Sequence, residues 1–303
     1  MTSVKDARGA VLVTGGAGFL GGYVMRYMFD AGYSPKALVR SSEDAAKLQA
    51  LGAGVVYGDL RDKTSLERAL DGTVAVVHMA AVVKSNSRQL YYDVNELGTR
   101  NLIEACVKKG VKRMVHVSTQ DVTFMRGDYA LSKLKGEEAV KSSALEFTII
   151  RPTAIYGKGE CALSGMLNLI RKLPVVPVPY GKDSRIQPVY AGDVAIAITN
   201  SIGNRNSIGK TYTVAGPDVF TYGELADAIM VGMGVKKPKI LIPFWIMKPL
   251  VRVYERLSSN PFVTTDSLEL MSCDKTCDHS SAAESLGYVP TSFKDGIGEM
   301  LRG

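Results

Sequence analysis

The chain has 303 residues, of which 46% are hydrophobic and 22% charged, and its formal net charge is +7. This length allows one large α/β domain or a core domain with a smaller partner, and the composition is typical of a globular protein rather than a disordered or fibrous one. No apolar run reaches the ~18 residues of a membrane-spanning helix, and residues 1–10 lack the apolar core of a signal peptide, so we expect a cytoplasmic protein.

The cysteine residues argue against a disulfide-rich or metal-binding protein, and the pattern of basic residues argues against a nucleic-acid-binding one. Four cysteines are too few for a disulfide framework, and Cys273, Cys277 and His279 lack a second ligand pair at zinc spacing. Basic clusters at 107–113 and 235–239 fall at predicted helix ends or turns, where lysine favours the negative helix terminus. They also lack the interleaved aromatic residues that single-stranded nucleic acid requires. We therefore expect neither a metal site nor a nucleic-acid partner.

Short β-rich segments alternate with helical patterns in the first half of the chain. Each is bounded by Gly, Asp, Ser or Pro, and together they cover residues 10–16, 34–40, 54–60, 74–80, 113–119 and 147–153. Continuous apolar strands separated by helices are typical of a parallel sheet covered on both faces. The sequence therefore predicts a doubly wound α/β fold.

The regular alternation ends after Arg151-Pro152. Residues 185–198 and 209–216 again resemble strands or helix starts that return to the core, whereas the chain from about 217 onward is mostly helical in pattern. We predict a core domain of residues 1–157 with about 185–215. A smaller, mostly helical lobe takes 158–184 and 216–303, so the two domains are interleaved.

Three glycines follow the first predicted strand and open the first predicted helix. Gly15, Gly18 and Gly21 permit a tight turn, a close approach of backbone N–H groups to a pyrophosphate, and close packing of helix on strand. This strand–turn–helix context predicts a bound dinucleotide, with Phe19 and Leu20 beside it at the helix start.

The residue at the end of the second predicted strand bears on which dinucleotide binds. An acidic residue there would bond the adenosine ribose hydroxyls, but this chain has Val39 and Arg40. A guanidinium suits a 2′-phosphate, which it can hold through two parallel hydrogen bonds. We favour NADP(H) over NAD(H), with a solvated strand-end cation as the alternative interpretation of Arg40.

Several ordered motifs together resemble the extended short-chain dehydrogenase/reductase superfamily, also called the NAD-dependent epimerase/dehydratase family. The motifs are TGGAGFLG (14–21), GDL (58–60), HMAA (78–81), VNELGTRNL (94–102), VST (117–119), YALSK (129–133), RPTAIYG (151–157) and PVYAGDVA (188–195). The resemblance implies a Rossmann domain, a substrate-binding lobe and a homodimer. It also implies cofactor contacts near the adenine at Asp59 and Leu60, on the ribose side at Ala80 and Ala81, and against the nicotinamide from Pro152 to Ile155.

The resemblance further implies that Thr119, Tyr129 and Lys133 are catalytic. Tyr129 and Lys133 are four residues apart, so on a helix they share a face. A free tyrosine has a pKa of ~10, and we expect the nearby ammonium, together with the positive ring of the oxidised nicotinamide, to favour the phenolate and lower that pKa, so that Tyr129 can exchange a proton with a substrate oxygen. Thr119 would bond that oxygen and Lys133 the nicotinamide ribose. Asn95 is either a further site residue or a helix cap or turn residue.

Two departures from the family's nucleotide-sugar enzymes concern the substrate. Only nine residues separate Thr119 from Tyr129, and Ala154 stands where an asparagine often holds the nucleotide diphosphate. Arg185 could still meet a diphosphate. The sequence more closely resembles the dihydroflavonol-reductase-like and 3β-hydroxysteroid-dehydrogenase-like branch, which interconverts an alcohol and a ketone. We therefore expect such an oxidoreductase; a nucleotide-sugar epimerase or dehydratase and a non-catalytic cofactor-binding subunit are the alternatives.

The segment 240–257 is apolar and ends in a basic helical pattern. Its residues Phe244, Trp245, Met247, Leu250 and Val251 could line an apolar pocket. They could equally pack the core of the small lobe or a subunit contact. A third interpretation is that Lys248, Arg252 and Arg256 hold this segment against a membrane surface.

Overall fold

The computed structural model describes residues 9–159, 161–180, 184–258 and 263–302. Its centre is a seven-stranded parallel sheet. The predicted doubly wound α/β class is confirmed, and each of the six predicted segments contains a strand, two of which, β4 and β6, begin one residue earlier than predicted. The amino-terminal residues on which the signal-peptide prediction rests lie mostly outside the described part.

The strands fall into one large sheet and three two-stranded pairs. In chain order they are β1 (Ala10–Thr14), β2 (Pro35–Val39), β3 (Gly54–Tyr57), β4 (Thr73–His78), β5 (Arg113–Val117), β6 (Glu146–Pro152), β7 (Ile155–Tyr156), β8 (Val176–Tyr180), β9 (Arg185–Ile186), β10 (Val189–Tyr190), β11 (Lys210–Val214), β12 (Phe220–Thr221) and β13 (Lys239–Pro243). The large sheet has the order β11-β6-β5-β4-β1-β2-β3, and the pairs are β7 with β10, β9 with β12, and β8 with β13.

Helices cover both faces of the large sheet and build the lobe at its carboxyl edge. They are α1 (Phe19–Asp30), α2 (Ser42–Ala50), α3 (Lys63–Ala69), α4 (Arg88–Tyr91), α5 (Gly98–Lys109), α6 (Gly127–Lys141), α7 (Ser164–Lys172), α8 (Ala191–Gly203), α9 (Tyr222–Gly232), α10 (Phe244–Leu257), α11 (Thr265–Met271), α12 (Ser280–Leu286) and α13 (Phe293–Leu301). A π-helical turn, Tyr92–Leu97, joins α4 to α5, and a 3₁₀ turn, Gln120–Phe124, follows β5. No helix among the described residues is long and apolar enough to cross a bilayer.

Local sequence signals explain where several helices begin and end. Ser41 and Asp62 accept hydrogen bonds from the first-turn N–H groups of α2 and α3, and Thr221 forms a capping box with Glu224 at the start of α9. Gly110 ends α5 in the left-handed conformation that glycine adopts without strain.

Three apolar clusters hold the layers together. One lies between the sheet and α1, α2, α8 and α12, and a second between the opposite face and α3, α5 and α6. The third belongs to the small lobe, where α7, α9, α13 and β8 pack around Tyr156. Helix α12 comes late in the chain yet packs on the large sheet. The division into two domains with the limits given above stays a prediction, and residues 1–8, 160, 181–183, 259–262 and 303 of those ranges lie outside the described residues.

Strand order changes direction between β1 and β4, because the chain winds outward through β2 and β3 and then crosses to β4 on the other side of β1. In open parallel sheets, ligands bind in the crevice at the carboxyl ends of the strands at such a switch point. The first glycine turn, after β1, and Ala80, after β4, both lie at this place.

Candidate active site

The glycine turn after β1 is packed so tightly that side chains are excluded from it. Gly15 has φ +76°, and a Cβ there would lie 2.7 Å from the backbone nitrogen of Ala80. A Cβ on Gly21 would lie 2.5 Å from the carbonyl oxygen of Gly15 and closer still to that of Gly16. Both glycines are therefore required by the close approach of turn, helix and neighbouring strand.

The helix that follows this turn presents an uncapped amino terminus. Gly18 is the N-cap of α1 and has no side chain to accept from the first N–H groups, and the first turn of α1 contains no acidic residue. Free N–H groups at a helix start carry partial positive charge and bind phosphate oxygens. The cradle therefore fits a dinucleotide pyrophosphate. Phe19 and Leu20, both partly buried, form the first turn beside it.

Two guanidinium groups surround one carboxylate where the adenosine end is predicted. Arg40 is exposed immediately after β2, and its charge helps to lower the pKa of Asp59. The main cause of the shift is Arg61, whose Nε and Nη2 donate to the two carboxylate oxygens at 2.9 and 2.8 Å, so the pKa of Asp59 falls to about 2. Leu60 is buried. Among the described residues Arg40 itself has no ion pair within 4 Å, so the local charge is net positive.

Asn95 connects the predicted ribose side to the predicted catalytic helix. It lies inside the π-helical turn, so it is not a helix N-cap. Its Oδ1 accepts from the Val82 amide at 2.8 Å, and its Nδ2 donates to the Val82 carbonyl and to the Ser132 hydroxyl, both at 3.0 Å. The Asn95 amide therefore fixes the backbone just after Ala80 and Ala81 against α6.

Thr119, Tyr129 and Lys133 come together at the carboxyl end of β5. Thr119 follows β5 directly and is buried, and its hydroxyl interacts with the Tyr129 phenol. Lys133 lies one turn further along α6, is 2% exposed, and donates from Nζ to the Val117 carbonyl at 2.7 Å. An ammonium has three donors. In the described part of the chain this is its one hydrogen bond, so two of its donors have no protein partner there.

The electrostatics of this cluster differ from the expectation that Lys133 lowers the pKa of Tyr129. Burial raises the pKa of Tyr129, and the Asp121 carboxylate raises it further; the contact with Thr119 acts in the opposite direction. Burial also lowers the pKa of Lys133 to about 8, partly offset by Glu137. In the protein without cofactor Tyr129 is therefore a neutral phenol at physiological pH, because burial and the Asp121 charge both disfavour the phenolate. The lowering expected from Lys133 together with an oxidised nicotinamide stays a prediction for the cofactor complex.

Two histidines lie side by side on the central strands next to the lysine. His78 and His116 pair across β4 and β5, with ring centroids 5.1 Å apart. Burial and the charge of Lys133 lower the pKa of both, that of His78 to about 3. His78 bonds the hydroxyls of Thr14 and Thr99 at 2.7 and 3.0 Å. Both rings are neutral, so Lys133 is the cation at this point of the sheet.

The segment 273–279, which contains Cys273, Cys277 and His279, crosses the edge of the site. Lys275 forms a 2.7 Å ion pair with Asp121, two residues after Thr119. The Gln120 side chain donates to the Thr276 carbonyl at 3.4 Å, and Gln187 accepts from the Cys277 amide at 2.9 Å. Sequence reasoning missed Asp121 and Lys275 because their pairing joins residues 154 positions apart.

Tyr91 is a second neighbour that the sequence did not single out. It is buried, its ring centroid is 6.4 Å from that of Tyr129, and its hydroxyl accepts from the Ser85 amide at 2.8 Å. A polar cleft opens beside it, lined by Ser85, Asn86, Arg88, Tyr91, Asp128, Glu255, Thr264 and Asp266. This cleft lies between α6 and the small lobe.

The segment predicted to face the nicotinamide lies at the same edge of the sheet. Pro152 is the last residue of β6 and is buried, and Ile155 begins β7 and is partly buried. Between them the Ala154 carbonyl accepts from the Val189 amide at 3.0 Å, which ties this segment to β10. Arg185, the predicted diphosphate contact, is exposed on β9.

Helix α10 occupies most of the segment 240–257. Val251 is its one buried residue, whereas Trp245 and Leu250 are exposed. Those two side chains therefore do not line a closed pocket. Lys248 pairs with Glu269 at 2.6 Å.

The protein has a glycine turn at the switch point of a parallel sheet and a Thr–Tyr–Lys cluster at the neighbouring strand end. This combination is that of a dinucleotide-dependent enzyme of the short-chain dehydrogenase/reductase type. Residues 11–215 match the family model of the NAD-dependent epimerase/dehydratase family. The chain belongs to this family, and it is an NAD(P)-dependent enzyme of the extended type.

Three known proteins illustrate the range of its relatives. The chain is 29% identical to the ceramide reductase of Caulobacter vibrioides, over 95% of this chain and 91% of that protein. It is 28% identical to the 3β-hydroxysteroid-dehydrogenase/decarboxylase isoform 2 of Arabidopsis thaliana, over 92% of this chain but 59% of that protein. The fold is also similar to that of a dTDP-glucose 4,6-dehydratase of Streptomyces venezuelae with NAD bound, with a TM-score of 0.75, 22% identity and coverage of 96% and 95%.

Proposed function

We propose that this enzyme interconverts a secondary alcohol and a ketone on an apolar, lipid-like skeleton, with NADP(H) as the preferred cofactor. The observation that carries the proposal is the interaction of the Thr119 and Tyr129 hydroxyls, with the buried ammonium of Lys133 one turn further along α6 and bonded to the end of β5, at the sheet edge where the glycine turn fits a dinucleotide. Hydroxyl, phenol and ammonium at that edge suit proton transfer to a substrate oxygen.

In the reductive direction each residue has a defined part. A reduced nicotinamide, when bound in this cradle, would supply the hydride for the carbonyl carbon. Thr119 donates a hydrogen bond to the carbonyl oxygen and Tyr129 gives it a proton, so the ketone becomes an alcohol and the phenol is restored from solvent. Because burial raises the pKa of Tyr129, the phenol holds its proton until negative charge develops on the substrate oxygen. Lys133 holds the ribose with its remaining donors and stabilises the transient phenolate.

Tyr129→Phe tests this assignment. The phenyl ring keeps the packing against Tyr91 but has no proton to give, so we expect turnover to fall by at least about 10²-fold while cofactor affinity measured by calorimetry stays unchanged. Tyr92→Phe is the matched control, because it keeps the ring and removes a hydroxyl whose hydrogen bonds go to Asp128 and Arg88, outside the Thr–Tyr–Lys cluster. Turnover that survives in Tyr129→Phe removes this phenol from the mechanism.

The cofactor preference rests on the charge around the adenosine end. Arg61 neutralises Asp59, and Arg40 remains as a cation at the end of β2. We expect Arg40→Asp to weaken NADPH binding by at least about tenfold and NADH binding far less, because only NADPH carries the 2′-phosphate. Arg68→Asp makes the same charge change in the last turn of α3, near the amino-terminal end of β4, and should affect the binding of neither cofactor. Equal losses for both cofactors in Arg40→Asp would refute the preference.

The substrate class rests on the residues around the reacting oxygen and on the named relatives. Ala154 offers no amide to a nucleotide diphosphate, and the ceramide reductase and the hydroxysteroid dehydrogenase are named for lipid alcohols or ketones. The assay supplies NADPH with a 3-oxosteroid, an oxidised ceramide or a simple cyclic ketone and follows NADPH absorbance. Consumption that is faster with the two lipids than with the small ketone supports the proposal.

A nucleotide-sugar epimerase or dehydratase is the second candidate, favoured by the similarity to the dTDP-glucose dehydratase fold. It would use the same three residues and return the hydride to the sugar. Product formation from a nucleotide sugar with no net change in NADPH would select it. Cofactor binding with no turnover across both panels would select the non-catalytic subunit. The homodimer and the cytoplasmic location stay predictions.

A further inference from the structure

Exposed apolar side chains are concentrated in one short part of the described chain. Six of the seventeen large exposed apolar residues fall within residues 240–257, on β13 and α10. Trp245 is 77% and Leu257 82% exposed. Single exposed apolar residues are ordinary, but a group of them marks an interaction surface.

The exposed residues of α10 form a continuous stripe. Trp245, Pro249, Val253 and Leu257 recur every four residues, all four are exposed, and Leu250 lies next to them, more than half exposed. Val251 is buried on the other side of the helix. On a surface helix of a water-facing protein the outward stripe is polar. Here it is apolar, and two more exposed apolar residues, Ile240 and Leu241, lie on β13 just before α10, each 55% exposed.

Cationic side chains border this stripe along one side. Arg252 and Arg256 are exposed and precede Val253 and Leu257, so they lie at one edge of the apolar stripe. Lys248 is engaged with Glu269, and Glu255 accepts from the Thr265 hydroxyl at 2.8 Å. Neither of the two guanidinium groups has an ion pair within 4 Å in the part of the chain that the structure describes. The helix therefore presents apolar groups and uncompensated positive charge together.

We propose that this α10 face, formed by Trp245, Pro249, Leu250, Val253 and Leu257 with Arg252 and Arg256 at its edge, docks on an anionic lipid surface. Amphipathic helices of this composition lie in the membrane interface, with tryptophan at headgroup level and arginine on anionic lipid. A second copy of the chain suits the face less well. Two-fold pairing would cover Arg252 and Arg256 with a second copy of a face that contains no acidic side chain to pair with them.

The chain offers a built-in probe, because Trp245 is the single tryptophan. The experiment titrates the full-length protein with vesicles of phosphatidylcholine alone or of phosphatidylcholine with phosphatidylglycerol. It follows the tryptophan emission and the sedimented fraction. We expect a blue shift and co-sedimentation with the anionic vesicles, weak binding to the neutral ones, and reversal by salt, since exposed charges are screened.

Matched variants separate this face from the overall positive charge. Arg252→Glu with Arg256→Glu should weaken binding to anionic vesicles by at least about tenfold, since each basic residue near such a surface contributes several-fold. Arg205→Glu with Lys210→Glu makes the same charge change on exposed residues elsewhere and should bind like the wild type. Leu250→Ser with Leu257→Ser should also weaken binding and reduce the blue shift. All of these variants keep Trp245.

Three outcomes overturn the proposal. The first is an unchanged emission with both kinds of vesicle. The second is an equal loss in the two charge-reversal pairs, which would mean that net charge alone attracts the lipid. The third is a blue shift that grows with protein concentration in the absence of vesicles, which would show that a second copy covers the face. None of these outcomes depends on turnover, so they test the surface independently of the proposed reaction.

Discussion

Two neighbouring glycines of α1 lead to opposite expectations for the same substitution. A Cβ on Gly21 would meet the backbone carbonyls of Gly15 and Gly16, whereas a Cβ on Gly22 would meet nothing within 4 Å. Neither carbonyl can swing aside as a long side chain could, because both belong to the glycine turn. Gly21→Ala and Gly22→Ala therefore compare an identical change in one helix, with and without a backbone clash.

The magnitudes follow from two opposing contributions. Replacing glycine by alanine inside a helix stabilises by about 1 kcal/mol, because less backbone entropy is lost on folding. Forcing a methyl group into a filled space costs about 1–3 kcal/mol, and the upper end applies where backbone must move. We expect Gly22→Ala to be more stable than the wild type by about 1 kcal/mol, and Gly21→Ala to be less stable by about 2 kcal/mol.

Urea unfolding monitored by circular dichroism measures both changes, and calorimetry with NADPH measures the effect on the cradle. Because the clash displaces the turn whose N–H groups fit the pyrophosphate, we expect Gly21→Ala to lose at least about tenfold in affinity. Gly22→Ala should bind as the wild type does. If both variants shift the urea midpoint in the same direction, or if Gly21→Ala binds NADPH normally, the reasoning from the close approach is wrong.

Two further predictions concern buried cations. The pKa of Lys133 is lowered to about 8, so between pH 8 and 10 the unfolded chain binds a proton that the folded protein has released. This group therefore makes the free energy of unfolding rise with pH in that window, by up to ~3 kcal/mol. Lys133→Met should remove the rise when urea unfolding is measured across the window, and an identical pH profile in the variant would contradict the reasoning. The guanidinium of Arg113 donates to the Glu146 carbonyl and the Thr148 hydroxyl at 2.6 and 2.7 Å, so Arg113→Lys should lower the free energy of unfolding by about 2–4 kcal/mol in the same measurement. The surface substitution Arg205→Lys should lower it by less than ~0.5 kcal/mol. An equal loss for both would refute the role of the guanidinium hydrogen bonds.

The sheet and the glycine turn could be predicted because their signals are local. Each strand is an apolar run bounded by turn residues, and Gly15, Gly18 and Gly21 stand at fixed positions between a strand and a helix. The pairing of Tyr129 with Lys133 is local for the same reason. These features need no knowledge of which distant segments meet.

The electrostatics of the site could not be predicted in this way. The raised pKa of Tyr129 depends on desolvation and on Asp121, and Asp121 in turn pairs with Lys275 from the far end of the chain. Asn95 illustrates the same limit, since its bonds reach residues 13 and 37 positions away. The sequence motif identified the residue, but only the packing of the π-helical turn against α6 explains what its amide holds.

The small lobe meets α6, the helix that carries Tyr129 and Lys133, at its first turn. The Asp266 carboxylate accepts from the Asp128 amide at 2.9 Å, at the start of α6, one residue before Tyr129. Glu255, on α10, bonds the Thr265 amide at 3.0 Å and lines the cleft beside Tyr91. The helix that carries the exposed apolar stripe is therefore tied, through α11, to the turn that carries the phenol.

This connection gives the proposed lipid contact a consequence for the proposed reaction. If α10 lies on a bilayer with its stripe downward, Glu255 on its inward side keeps the cleft close to the headgroup level, because one helix diameter of about 10 Å separates the two sides. A lipid-like ketone would then enter the cleft beside Tyr91 without crossing bulk water. Under the two proposals together, α10 would supply the contact with lipid and α6, whose Asp128 lines that cleft, would supply the proton.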